Sequence, residues 1–137
     1  MIEDNIFLKP FRTSGGAVPF DRITTEDYEP AIREGIKQHD AEVKAITNNE
    51  AEATFENTIV ALERAGETLN RVLGVFYPML SANADDELMA VSERMAPVLS
   101  EHFNSITLNE QLLPPSIFAI VTIFSSESVL HIRWPKY

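Results

Sequence analysis

Cysteine is absent from the 137 residues, which excludes disulfides, thiolate metal sites and a cysteine nucleophile. The absence fits a reducing cytoplasm, the expected location. Basic charge is scarce: eleven Lys and Arg stand against twenty-one Asp and Glu, a formal net charge of -10. A surface of that sign repels phosphate, so neither nucleic acid nor an anionic membrane is an expected partner. Long apolar runs are missing too. The longest apolar-rich stretch, residues 117–124, is far below the ~20 residues of a membrane span. The opening Met1-Ile2-Glu3-Asp4-Asn5 is acidic, with no apolar run behind it, so no secretory leader is expected.

What is present is a globular composition. Hydrophobic residues make up 45% of the chain, too many for a wholly disordered one and enough for one modest core. Residues 1–23 read as an irregular arm broken by Pro10, Ser14-Gly15-Gly16 and Pro19. Phe7, Phe11 and Phe20 read as anchors that dock this arm on a helical body, because burial of their rings is favourable.

A first helix is expected from Thr24 or Thr25, with Glu26, Asp27 and Glu29 at the positive end of its dipole. Pro30 sits early, where a missing N–H costs little or the first turn stands apart. Ile32, Ile36, His39, Val43 and Ile46 then recur at four-three spacing, and Asn48-Asn49 is the expected stop. A second helix is expected from a Thr54 cap. Its stripe runs Phe55, Ile59, Leu62, Gly66, Leu69, Leu73, Phe76 and Leu80, at a length of up to ~40 Å if unbroken. Ala61, Ala65, Val72, Val75 and Met79 widen the buried face, and Gly66 permits a close neighbour. Pro78 should disturb its last turns. Asn83 is the expected cap of a third helix, with Asp85, Asp86 and Glu87 in its first turn. Leu88, Val91, Met95, Val98, Leu99, His102, Phe103 and Ile106 form its apolar side, and Pro97 predicts a kink. The short link between the second and third helices predicts an antiparallel hairpin.

The fold class expected is therefore all-α, with long antiparallel helices in a hairpin or bundle, an irregular N-terminal arm and a divergent C-terminal tail. Residues 1–112 form the helical segment and residues 113–137 the tail. Residues 1–110 hold twenty of the twenty-one acids, and the remainder is nearly neutral. After Pro114-Pro115 the helical spacing is lost, and residues 117–124 suit a strand as well as a helix.

No set of residues here announces catalysis. A helical zinc site needs two histidines one turn apart with a glutamate between them. His39, His102 and His131 are far apart in sequence, and the positions three before His39 and His102 hold Ile36 and Leu99 rather than glutamate. His39 and His102 read as half-buried histidines with local hydrogen bonds. Nucleophile elbows, phosphate loops and dinucleotide fingerprints are missing. Asp85-Asp86 suits the helix dipole better than acid–base work. No catalytic, cofactor-binding or metal-ligating residue is assigned, and no cofactor is expected in this chain.

Three stretches say more. Pro19-Phe20-Asp21-Arg22-Ile23-Thr24-Thr25-Glu26-Asp27-Tyr28-Glu29-Pro30-Ala31 resembles the opening of bacterial peptidyl-dipeptidases of the thimet oligopeptidase family. Thr54-Phe55-Glu56-Asn57-Thr58-Ile59-Val60-Ala61-Leu62-Glu63-Arg64-Ala65-Gly66 is similar to the family's next helix. Leu80-Ser81-Ala82-Asn83, followed by Ala96-Pro97-Val98-Leu99-Ser100-Glu101-His102, resembles the third, and the likeness spans roughly residues 5–112. The resemblance implies part of a large helical metallopeptidase whose zinc is held by His-Glu-x-x-His and a later Glu. It implies a deep channel that admits short peptides, and a dipeptide product. The region matched corresponds to the channel wall, so none of the family's catalytic residues has a counterpart here. The break after Leu112 suggests a truncated or frame-disrupted version of a longer gene.

Two readings stay open. One is a hydrolase fragment, inactive alone, with apolar helix faces left bare and prone to self-association. The other is a stand-alone helical interaction module whose tail folds back over such a face.

Overall fold

The computed structural model describes residues 2–112, and every element among them is helical. The expectations for residues 113–137, including the strand-or-helix segment 117–124, lie outside the described residues. No helix among the described residues is long and apolar enough to cross a membrane.

The arm is a string of short 3₁₀ turns rather than wholly irregular chain. Phe7 does anchor it: its ring is fully buried, 5.3 Å from the Tyr28 ring, and its carbonyl accepts a hydrogen bond from Arg71 Nη1 at 2.9 Å. Phe11 packs against the same core. Phe20 is a correction. It is 58% exposed, because Phe7 and Phe11 already meet the aromatic edge of the core.

Helix α1 spans Thr25–Thr47. Thr24 caps it, its N–H donating to the Asp27 carboxylate at 2.8 Å. Pro30 is accommodated inside the continuous helix. The expected stripe faces inward, with Ile32 and Val43 buried and Ile36 packed on the core.

The expected second helix is not one rod. Thr54 caps it as anticipated, its Oγ accepting from Asn57 N at 3.1 Å. A π-helical segment, Phe55–Val60, runs into the short helix α2, Ala61–Arg64, and there the chain breaks. Ala65 turns extended and Gly66 adopts the left-handed φ of 78°, so α3 restarts at Glu67–Asn83. Only glycine takes that conformation cheaply. Phe55, on the far side of that break from α3, is exposed.

Helix α4 spans Asp86–Thr107. Its cap is Asp85, whose carboxylate accepts from Leu88 N at 2.8 Å, and not Asn83, which still belongs to α3. Both Pro78 and Pro97 lie within continuous helices.

The close backbone contacts of the two later helices are with α1 rather than with each other. Tyr28 meets Phe76 and Gly35 meets Leu69 across α1 and α3. Glu29 meets Arg94, and His39 meets His102, across α1 and α4. Ile32, Leu69, Val72, Phe76 and Met95 sit at the centre of the core, where the three helices converge.

Candidate functional site

His39 and His102, 63 positions apart in sequence, come together at the far end of the α1–α4 contact. Each occupies a place on its helix's apolar stripe, so packing the two stripes together brings ring against ring. His102 Nε2 lies 3.0 Å from His39 Nδ1, and the ring centroids are 5.0 Å apart at a steep angle. His102 is 5% exposed and His39 is half-buried. The other ring nitrogen of His102, Nδ1, lies 3.0 Å from Asp40 Oδ1. Asp40 follows His39 on α1, and the helical twist turns it toward α4.

This arrangement fixes the protons of the neutral pair. A carboxylate only accepts, so His102 Nδ1 carries the hydrogen that faces Asp40. His102 Nε2 then offers a lone pair, and His39 Nδ1 donates to it. His39 is thereby held as the Nδ1–H tautomer. Burial, followed by the nearby His102, pushes the pKa of His39 below the usual histidine value, against a smaller upward pull from Glu42 and Asp40.

Glu42 supports the same corner. Its Oε2 accepts from the Gly66 N–H at 2.6 Å, at the positive end of α3. A Cβ on Gly66 would stand only 2.9 Å from His39 Nδ1, so the histidine ring rests directly on the glycine backbone. The close approach anticipated at Gly66 is thus real, and its neighbour is a histidine.

The sequence reading gave each histidine a local partner and saw no pair. The usable signal was that two polar rings stand in line with aliphatic residues on two separate helices. A buried polar group needs a hydrogen-bonding partner, and each could supply the other's. His131 lies outside the described residues. No three His, Cys, Asp or Glu side chains converge in a metal-holding group among the described residues.

The opposite end of the α1–α4 seam opens as a groove of about 740 Å³. Pro30, Ala90 and Val91 give it apolar walls, and Glu29, Arg33 and Arg94 edge it. Glu29 divides its carboxylate between two arginines: Oε1 to Arg33 and Oε2 to Arg94, each at 2.9 Å. Hydrogen bonds from Arg33 and then Arg94 hold the Glu29 pKa below the ordinary carboxylate value. The groove thus carries paired charges and an apolar floor, which suits packing by another peptide segment more than acid–base chemistry.

Comparison with known proteins bears out the resemblance read from the sequence. Two curated dipeptidyl carboxypeptidases are similar over 93 residues: that of Escherichia coli K12 at 44% identity and that of Salmonella typhimurium LT2 at 42%. The matched stretch is 68% of this chain but 14% of each relative's length. No family model matches the chain.

Proposed function

From this kinship with the dipeptidyl carboxypeptidases over 93 residues, we propose that the chain is an N-terminal, non-catalytic fragment of a zinc-dependent peptidyl-dipeptidase acting on short peptides. The observation that carries the reading is 44% identity over 93 residues, 68% of the chain. Such an enzyme releases dipeptides from the carboxyl end of its substrate, and these helices belong to the wall of its channel. The acidic, cysteine-free chain works in the cytoplasm.

The order of contacts supports the helical arrangement expected from the sequence. Tyr28 pairs with Phe76, Gly35 with Leu69 and His39 with Gly66, so α3 descends as α1 ascends. Glu29 pairs with Arg94 and His39 with His102, so α4 ascends with α1. On this reading α3 and α4 form an antiparallel hairpin across α1.

A catalytic zinc takes three protein ligands and keeps one position for water. The described residues do not fit that role. His39 and His102 spend their facing nitrogens on each other, and the remaining nitrogen of His102 is turned to Asp40. No hydrolytic step is assigned to them.

The test is a peptidase assay of the purified 137-residue chain with added zinc and a library of short peptides, beside a zinc analysis of the protein. No dipeptide release and no stoichiometric zinc are expected. Zinc-dependent release by protein free of contaminating peptidase would overturn the reading.

Leu108 at 76% exposure, with Phe55 and Tyr77 also exposed, fits the bare apolar faces of a fragment better than the second reading, a stand-alone interaction module with a closed core and no activity. Light scattering over a range of concentrations separates the two. Open-ended association through bare apolar faces supports the fragment, whereas a discrete, saturable species supports the module.

A further inference from the structure

We propose that His39 and His102 form a pH-sensitive clasp that fastens the C-terminal half of α4 to α1 and lets go when the pair takes up a second proton. The argument begins with the 3.0 Å separation of His102 Nε2 and His39 Nδ1. A hydrogen bond between two ring nitrogens needs one hydrogen between them, donated by one ring and accepted by the other. In the neutral pair His39 Nδ1–H donates to His102 Nε2, and the protonated Nδ1 of His102 lies 3.0 Å from the Asp40 carboxylate, which favours it electrostatically. One added proton leaves the hydrogen bond between the rings in place, because a single imidazolium donates to a neutral partner. A second added proton puts a hydrogen on each of the facing nitrogens. The bond is then lost and two like charges face each other at contact distance.

The surroundings decide that the response is mechanical. His102 is 5% exposed, so it cannot turn into water unless α4 moves away from α1. His39 cannot retreat toward the α2–α3 joint, because its ring already rests on Gly66. Among the described residues, the charged groups acting on His39 are His102 from α4, and Glu42 and Asp40 from its own helix. The α2–α3 joint contributes the Gly66 N–H, which occupies Glu42. The side chain of Asp40 is 57% exposed, so water screens the counter-charge it offers to a doubly protonated pair. The depressed pKa of His39 agrees with a pair that accepts its second proton reluctantly.

The clasp is read on the whole 137-residue chain by following imidazole resonances from about pH 8 to about pH 4, with amide hydrogen exchange of residues 99–107 corrected for intrinsic rate. The expected result is that His39 titrates below the ordinary histidine range, with exchange at the end of α4 accelerating at least ~10-fold through that step. His39→Asn keeps a donor near the Nδ1 position but does not titrate, and should abolish the acceleration. Titration of His39 at the ordinary value, with flat exchange, would overturn the proposal. So would the same acceleration in folded H39N. The wild-type titration needs no variant, so a poorly folding H39N leaves the proposal open to refutation.

Discussion

Gly35 lies directly on the backbone of Leu69: a Cβ added to it would stand 2.9 Å from the Leu69 Cα. Here α1 and α3 approach closely, one turn from Ile32 and two from Tyr28, which both belong to the core. The obstacle is main chain, which cannot swing aside as a flexible side chain would.

Gly35→Ala should therefore destabilise the fold by about 1–3 kcal/mol, the usual cost of overpacking, although alanine is the better helix former. Gly74 is the control. It is exposed in the interior of α3 with nothing near its missing Cβ, so Gly74→Ala should stabilise by roughly 0.5–1 kcal/mol. Urea midpoints of the two variants should move in opposite directions. Movement in the same direction would refute the close-approach argument.

Gly66→Ala tests the break between α2 and α3. The substitution meets a left-handed φ of 78° and the His39 ring at once. A loss of about 1–2 kcal/mol is expected from the backbone alone, with the steric clash adding to it. If the variant were as stable as the parent and richer in helix by circular dichroism, the two helices would have fused into the single rod that the hydrophobic spacing suggests.

Phe7→Ala should cost about 3–5 kcal/mol, since the ring is fully buried among Phe11, Tyr28 and the core. Phe20→Ala should change stability by less than about 0.5 kcal/mol, because that ring stands mostly in water. Limited proteolysis gives an independent readout: the arm should become cleavable in the first variant and not in the second.

Acid should weaken the fold in two stages. His39 has a folded pKa below its usual 6.5, so the unfolded chain binds the proton first. Its contribution is complete above the unfolded value and is lost as the pH falls below 6.5 toward the folded one. Glu29 behaves as a depressed carboxylate: its contribution is present above the usual 4.5 and is lost as the pH falls through the lower folded value. Denaturant midpoints should fall in both windows. Glu29→Gln should remove the lower stage while sparing the upper.

Arg94→Ala cuts the α4 side of the Glu29 bridge. Arg94 is about half exposed and water reaches the pair from its side, so the loss should stay below about 1 kcal/mol and shrink further in high salt. A loss that persists undiminished in about 1 M salt would show that Arg94 acts through packing of its stem rather than through charge.

Much of the local structure was legible in the residues. Thr54 caps where its hydroxyl meets a free N–H, Thr24 caps with its N–H and hydroxyl both donating to Asp27, and the stripes Ile32-Ile36-Val43 and Leu88-Val91-Met95-Leu99 face inward as their spacing requires. The break at Gly66 was not, because the four-three rhythm continues across it from Leu62 to Leu69. Hydrophobic spacing records which residues face the core, not whether the chain between them stays helical. Asn83 and Asp85 are both good caps, and only the actual end of α3 selects the second.

The sequence by itself determined a helical, acidic, thiol-free segment, the faces its helices bury, and its likeness to the dipeptidyl carboxypeptidases, since composition, periodicity and matching residues are properties of the chain read in order. The tertiary structure decided that α1 is the shared partner of α3 and α4, that Gly35 and Gly66 are points of contact, and that His39 meets His102. Those facts depend on which helices lie side by side, and a pairing across 63 residues leaves no local pattern for the sequence to display.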